Sequence, residues 1–172
     1  MVVGEKATHR NWMPDPQDLA EFENKTFPYP ANFEDDYVGR RAALEQDMTI
    51  DKTMLMHDDL KIGVDYSKRG MFGRMSPEEK AAYKAYYDRA EESYSKIKHD
   101  PKEVVKWKYQ RYMRDYLACV DSVDESVGKL LEYLDGLGIR PGARLQMLAR
   151  NYDETVTLKV DRKSVQIGRA HV

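Results

Sequence analysis

Ser76-Pro77-Glu78-Glu79 opens the stretch that decides the fold, and Tyr83, Tyr87, Ala90, Tyr94 and Ile97 follow at spacings of four and three. A serine N-cap, proline at the first helical position and glutamate three residues past the cap form a capping box, so a helix begins here. The Tyr-rich spacing gives that helix one apolar face. Asp100-Pro101 ends it and caps a second helix, expected from about Pro101 to Asp135. The expected stripe of this second helix is Val105, Tyr109, Tyr112, Tyr116, Val120, Val123, Val127, Leu130 and Leu134, with Gly136 as its C-terminal cap.

Upstream, no apolar period is sustained. Pro14, Pro16, Pro28 and Pro30 punctuate the first segment, and a short helix is expected from Tyr37 through Met56. Few Val, Leu or Ile occur there. Twelve tyrosines and nine methionines carry much of the apolar content, which suits irregular packing against a larger body. Downstream, Ile139-Arg140-Pro141-Gly142 reads as a turn. Ala143 to Arg150 and Thr155 to Val160 read as strands around Asn151-Tyr152-Asp153-Glu154. The predicted class is α+β: an irregular first half, two amphipathic helices and a weak C-terminal β-hairpin.

With 28 basic and 30 acidic residues the net charge is only −2. That balance gives no reason to expect nucleic acid or an anionic membrane as partner. The first residues show neither the basic nor the apolar region of a signal peptide, and no run approaches a membrane span. The sole cysteine, Cys119, excludes an internal disulfide and lies mid-helix, where it reads as a small buried apolar residue.

Lys6-Ala7-Thr8-His9-Arg10-Asn11-Trp12-Met13-Pro14 resembles the Ala-Pro-His segment of formylglycine-dependent sulfatases, with Thr8 where proline is usual. The resemblance continues through Phe33-Glu34-Asp35-Asp36-Tyr37 and Gln46-Asp47-Met48-Thr49-Ile50-Asp51. It is strongest in Trp107 to Leu117 and in Ser122-Val123-Asp124-Glu125-Ser126-Val127-Gly128-Lys129-Leu130-Leu131. These blocks stand in family order over residues 6 to about 136. The resemblance implies an internal fragment of an α/β sandwich of the alkaline-phosphatase-like type, from a periplasmic or secreted parent.

It also implies a sulfuric ester hydrolase acting on sulfated carbohydrates. There a hydrated formylglycine attacks sulfur and a calcium ion on oxygen ligands stabilises charge. His9 matches the family histidine that contacts the sulfate ester, while Arg10, Asn11 and Trp12 line the substrate rim. Cys119 stands in Ala118-Cys119-Val120-Asp121, which is not a maturation motif. The resemblance places the family's metal-binding aspartates outside the matching segment. No metal ligand is therefore assigned, no calcium is expected to be held, and the chain is expected to be inactive alone. Asp35-Asp36 and Asp58-Asp59 read as solvated loop charges, and His57 and His99 as surface histidines.

Two further resemblances follow. Leu137 to Leu145 and Thr155 to Val160 resemble the start of the SH3-like FeoA barrel, so residues 137–160 are read either as a partial FeoA-like segment or as divergent sulfatase strand. Asp161-Arg162-Lys163-Ser164 and Ile167-Gly168-Arg169-Ala170 are both translations of GATCGGAAGAGC in different frames. Residues 161–172, His171 included, thus resemble translated sequencing adapter, and are set aside from functional reasoning. Two readings compete with the sulfatase one. The first is a non-enzymatic helical interaction module using the Tyr-rich faces of residues 77–135. The second is a FeoA-like metal-regulator or iron-transport accessory. Exposed aromatic surface is expected to give non-specific self-association.

Overall fold

The computed structural model describes residues 4–67, 70–153 and 155–168. It contains helix α1 (Arg41–Glu45), one 3₁₀ turn (Met71–Arg74), α2 (Pro77–Ile97), α3 (Pro101–Gly136), and strands β1 (Leu145–Arg150), β2 (Val156–Val160) and β3 (Lys163–Ile167). The chain divides into two compact units, Met1–Val123 and Asp124–Val172, so the boundary falls within α3.

The long helices start as the sequence dictates. Ser76 Oγ accepts from the Glu79 N–H at 3.2 Å, and Glu79 Oε2 accepts from the Ser76 N–H at 2.7 Å. Asp100 Oδ1 accepts from the N–H groups of Lys102 and Glu103, satisfying donors that the first turn of α3 would leave unpaired. The end of α3 departs from expectation. Gly136 stays helical, and Gly138 takes the left-handed conformation at φ +79°. The Ile139 N–H then reaches back to the Leu134 carbonyl at 2.9 Å and closes the helix as a Schellman turn does.

The helix expected over 37–56 shrinks to the five residues of α1. Tyr37 and Gly39 have positive φ, which blocks an earlier start. Beyond Glu45, Thr49 and Thr53 bond to local backbone: Lys52 N–H donates to Thr49 Oγ1, and Thr53 Oγ1 donates to the Thr49 carbonyl. Such side-chain bonds give the backbone an alternative to the helical ladder.

Nor does the loop-rich half lean only on something outside. Leu19, Leu60, Ile62 and Phe72 from irregular segments pack with Tyr83, Tyr86, Tyr87 and Ala90 of α2 in one buried cluster. The aromatic face foreseen for α2 is therefore the core. On α3 the buried face is rotated from the expected stripe. Lys108, Tyr109, Arg111, Asp115, Ala118 and Cys119 are buried, whereas Val120 and Val127 are exposed. This face meets loop backbone whose carbonyls need donors, and polar side chains supply them. Lys108 Nζ donates to the carbonyls of Asp51 (2.7 Å) and Met54 (3.0 Å), and Tyr109 Oη to that of Pro28 (2.9 Å). Gln110 pairs with both the N–H and the carbonyl of Phe27 at 2.8 Å.

In the second unit the expected hairpin is a three-stranded antiparallel sheet in the order β1-β2-β3. Leu145 pairs with Val160 and Arg150 with Val156, with a bulge between Met147 and Ala149. β3 pairs Lys163 with Val160 and Ile167 with Val156 across the two-residue turn Asp161-Arg162, where Asp161 has positive φ. β3 lies in the segment read as translated adapter. Alternating Val165 and Ile167 beside an open strand edge is enough to pair, whatever the origin of the residues. β1 is exposed along its whole length. Glu154 and His171 lie outside the described residues.

Candidate functional site: a three-point anchor beneath His9

Residues 9–14 form no regular element, yet buried groups hold them at three points. Arg10 grips Asp59 with two parallel hydrogen bonds of 2.6 Å, from Nε to Oδ1 and from Nη2 to Oδ2. The Trp12 carbonyl accepts from Lys61 Nζ, and the Pro14 carbonyl accepts from Tyr83 Oη. Asp59, Lys61 and Tyr83 are at most 1% exposed, so these anchors belong to the core. They leave the His9 imidazole exposed, with Nδ1 against the Arg10 carbonyl and its backbone N–H donating to the Lys6 carbonyl at 3.0 Å.

The Arg10 side chain also donates to the Thr53 carbonyl at 2.8 Å, which ties it to the 49–56 loop. Arg10, Trp12, Ile50, Met54, Asp59 and Tyr112 line an open cleft of about 310 Å³. The Trp12 ring stands edge-on to Tyr112 at 4.6 Å between centroids. The cleft is thus an apolar wall with one half-exposed guanidinium fixed in place. Of the four residues assigned from sequence, Arg10 and Trp12 line it. His9 sits on the adjoining surface, and Asn11 is half-buried beside it.

Asp59 was not foreseen. Asp36 caps a local turn through the Val38 N–H and Asp58 is half exposed beside His57, as solvated loop charges should be, whereas Asp35 is largely covered, accepting from the Tyr37 N–H and pairing with Arg40. Asp59 is fully buried, which corrects its reading as a solvated charge. Leu60 and Ile62 are drawn into the core and carry the turn that holds Asp59 inward with them, and these two apolar neighbours were the one local signal available. Burial alone would raise the Asp59 carboxyl. The hydrogen bonds from Arg10 and the Leu55 N–H, with the charges of Arg10 and Lys61, outweigh it and hold the group below the usual carboxylate range. A depressed folded pKa adds stability that is fully present above the unfolded value of about 3.9 and lost as pH falls through the folded one. The stability gap between the wild type and Asp59→Asn, from urea midpoints, is therefore expected to close on acidification below about pH 4.

Behind the anchor lies a buried ion cluster. Asp115 accepts from Arg111 and from Tyr87 Oη (3.0 Å), and Lys61 Nζ stands 3.6 Å from its Oδ2. Arg111 also donates to Tyr86 Oη and lies 4.4 Å from that ring's centroid. Burial lowers the Lys61 ammonium from its ordinary value, against the opposing pull of Asp115. Cys119 is fully buried, and burial pushes its thiol up to about 11, which keeps it protonated and out of nucleophilic chemistry near neutral pH.

The chain is 44% identical over 147 residues to N-acetylglucosamine-6-O-sulfatase of Bacteroides thetaiotaomicron, a match that covers 80% of this chain and 26% of that protein. That match identifies the segment it covers as a fragment of a sulfatase. A solved structure, described as bound to its substrate D-glucosamine-2-N,6-O-disulfate, matches with a TM-score of 0.69 at 44% identity. It covers 77% of this chain and 28% of the other. The chain thus spans about a quarter of the length of the curated relative it matches. The FeoA domain model matches residues 117–172, beginning inside α3 and overlapping the sulfatase-like block at 122–131.

Sulfatase kinship suggests a metal cofactor in general. Among the described residues no group of three or more His, Cys, Asp or Glu is placed to hold a metal ion. Asp59 and Asp115 each spend their oxygens on cations and N–H or O–H donors, so neither fits a calcium ligand set. Among the described residues no helix is long and apolar enough to cross a membrane.

Proposed function

We propose that this chain is the His9-bearing segment of a carbohydrate sulfatase, acting on a 6-O-sulfated amino sugar, and that it does not cleave sulfate esters by itself. The observation that carries the reading is the three-point anchor. In a chain 44% identical to a sulfatase over 147 residues, two buried charged groups and a buried tyrosine hold the short segment that resembles the family's histidine-bearing one. The relatives' printed names supply the sugar: an N-acetylglucosamine 6-O-sulfatase and a glucosamine disulfate complex.

In this role the His9 imidazole donates to a sulfate oxygen or to the leaving oxygen, and Arg10, fixed by Asp59, adds positive charge at the rim. Trp12 offers an apolar face to the sugar ring. Formylglycine and calcium, in the family's scheme, come from residues to which nothing in this chain corresponds. The buried, protonated Cys119 supports that assignment.

The test uses the purified chain with glucosamine 6-O-sulfate and added calcium. No sulfate release is expected, together with saturable shifts of the His9 imidazole resonances and binding about tenfold weaker in His9→Ala. Sulfate release above the His9→Ala control would overturn the inactive-segment reading. Unperturbed His9 resonances would overturn its substrate role.

A second reading concerns residues 124–168 alone, where the FeoA match and three antiparallel strands coincide. It assigns this unit to a metal-regulator or iron-transport accessory. Ferrous-iron shifts confined to the amides of 145–167 would favour it.

A further inference from the structure

A second cleft of about 450 Å³ opens between α2 and α3 and shares no lining residue with the first. Its lining carries four cations, Arg89, Lys106, Arg111 and Arg114, against two carboxylates, Glu23 and Glu103. Asp115, behind the lining, pairs with Arg111, so three carboxylates face four cations and a positive excess remains, against a chain whose net charge is −2.

The two carboxylates do not use up the donors. Glu23 takes Arg89 through bonds of 2.6 and 2.9 Å, and Glu103 takes one Lys106 bond of 2.9 Å. Arg114 spends Nε and Nη2 on the Lys25 carbonyl, at 3.2 and 3.1 Å. Arg111 is 4% exposed, and among the described residues its buried Nε–H has no hydrogen-bond partner. A buried guanidinium donor left open costs free energy unless something accepts from it. Arg114 lies close enough to feel its neighbour: burial, then the charge of Arg111, pushes its guanidinium below the ordinary value. Crowded cations of this kind are relieved by an anion.

Two aromatic rings share the cleft. Trp107 fixes its indole through Nε1–H to Ser93 Oγ at 2.8 Å and packs on Tyr94 at 5.3 Å between centroids. Tyr29 is 42% exposed and rests on Tyr109. Rigid rings next to cations suit a ligand with apolar C–H faces and an anionic substituent.

We propose that the α2/α3 cleft is an anion site for a tetrahedral sulfate group, free or carried on a saccharide, held by Lys106, Arg111 and Arg114 beside Trp107. The site is independent of His9, so it stands or falls apart from the function proposed above. In the test, the Trp107 indole N–H resonance of the full chain is followed against inorganic sulfate, glucosamine 6-O-sulfate and plain glucosamine.

Saturable, salt-sensitive shifts with both sulfated probes are expected, about fivefold weaker in Lys106→Gln and in Arg114→Gln. Arg114→Lys should restore part of the loss. Equal affinity for inorganic sulfate and the sugar sulfate would identify the free ion as ligand. A clear preference for the sugar sulfate would identify the saccharide. Glucosamine binding as well as its 6-O-sulfate, or both glutamine variants binding like the wild type, would overturn the proposal.

Discussion

Asp115→Ala is expected to cost about 3–5 kcal/mol of the first unit's stability. Its carboxylate is fully buried and takes a hydrogen bond from Arg111 and another from Tyr87 Oη, with Lys61 Nζ 3.6 Å away. Removing it leaves two buried cations facing each other without a counter-charge. A domain of this size has only about 5–15 kcal/mol in hand, so the loss would be visible as a large fall in the urea midpoint. The effect should reach residues 9–14, because Lys61 also holds the Trp12 carbonyl. Asp115→Leu with Arg111→Leu and Lys61→Met should recover much of the loss, since replacing a buried ion cluster by apolar groups of similar volume is often close to neutral. An Asp115→Ala protein that melts within about 1 kcal/mol of the wild type would show that the cluster is not compact in solution.

Tyr83 separates packing from anchoring. It is 1% exposed, touches the core cluster, and donates its hydroxyl to the Pro14 carbonyl. Tyr83→Ala is expected to cost about 3–5 kcal/mol through lost burial and the cavity left behind. Tyr83→Phe keeps the ring and removes only the donor, which leaves the Pro14 carbonyl short of a partner and costs about 1–3 kcal/mol. The phenylalanine variant should also speed amide exchange over residues 9–15 while leaving α2 protected. Equal losses for the two variants would mean that the hydroxyl, not the ring, sustains the core.

The two long helices were legible because everything that defines them is local. The capping box at Ser76, the cap at Asp100 and the Tyr spacing of α2 act within one or two turns, and the structure reproduces them. The short extent of α1 and the shifted glycine cap of α3 were less legible, since they turn on small competitions between neighbouring hydrogen bonds. The third strand was set aside because its residues resemble adapter translation, although pairing needs only alternation and a free edge.

Half of the candidate site could be read in advance. The His9 to Trp12 segment stood out through its family resemblance, and the structure places Arg10 and Trp12 on one cleft. Asp59, Lys61, Asp115 and Arg111 could not be read, because a charged residue looks the same in sequence whether solvated or buried. Their burial depends on partners far along the chain, such as Arg10 for Asp59, 49 positions away, and Tyr87 for Asp115, 28 positions away.

By itself, then, the sequence determined the helix starts, the irregular course of the first half and the kinship with sulfatases, since caps, proline and motif order are properties of adjacent residues. The tertiary structure alone decided which face of α3 is buried, and that this face is polar. Loop backbone brought against a helix must have its carbonyls satisfied, and Lys108, Tyr109 and Gln110 meet that need only once the chain has folded back upon them.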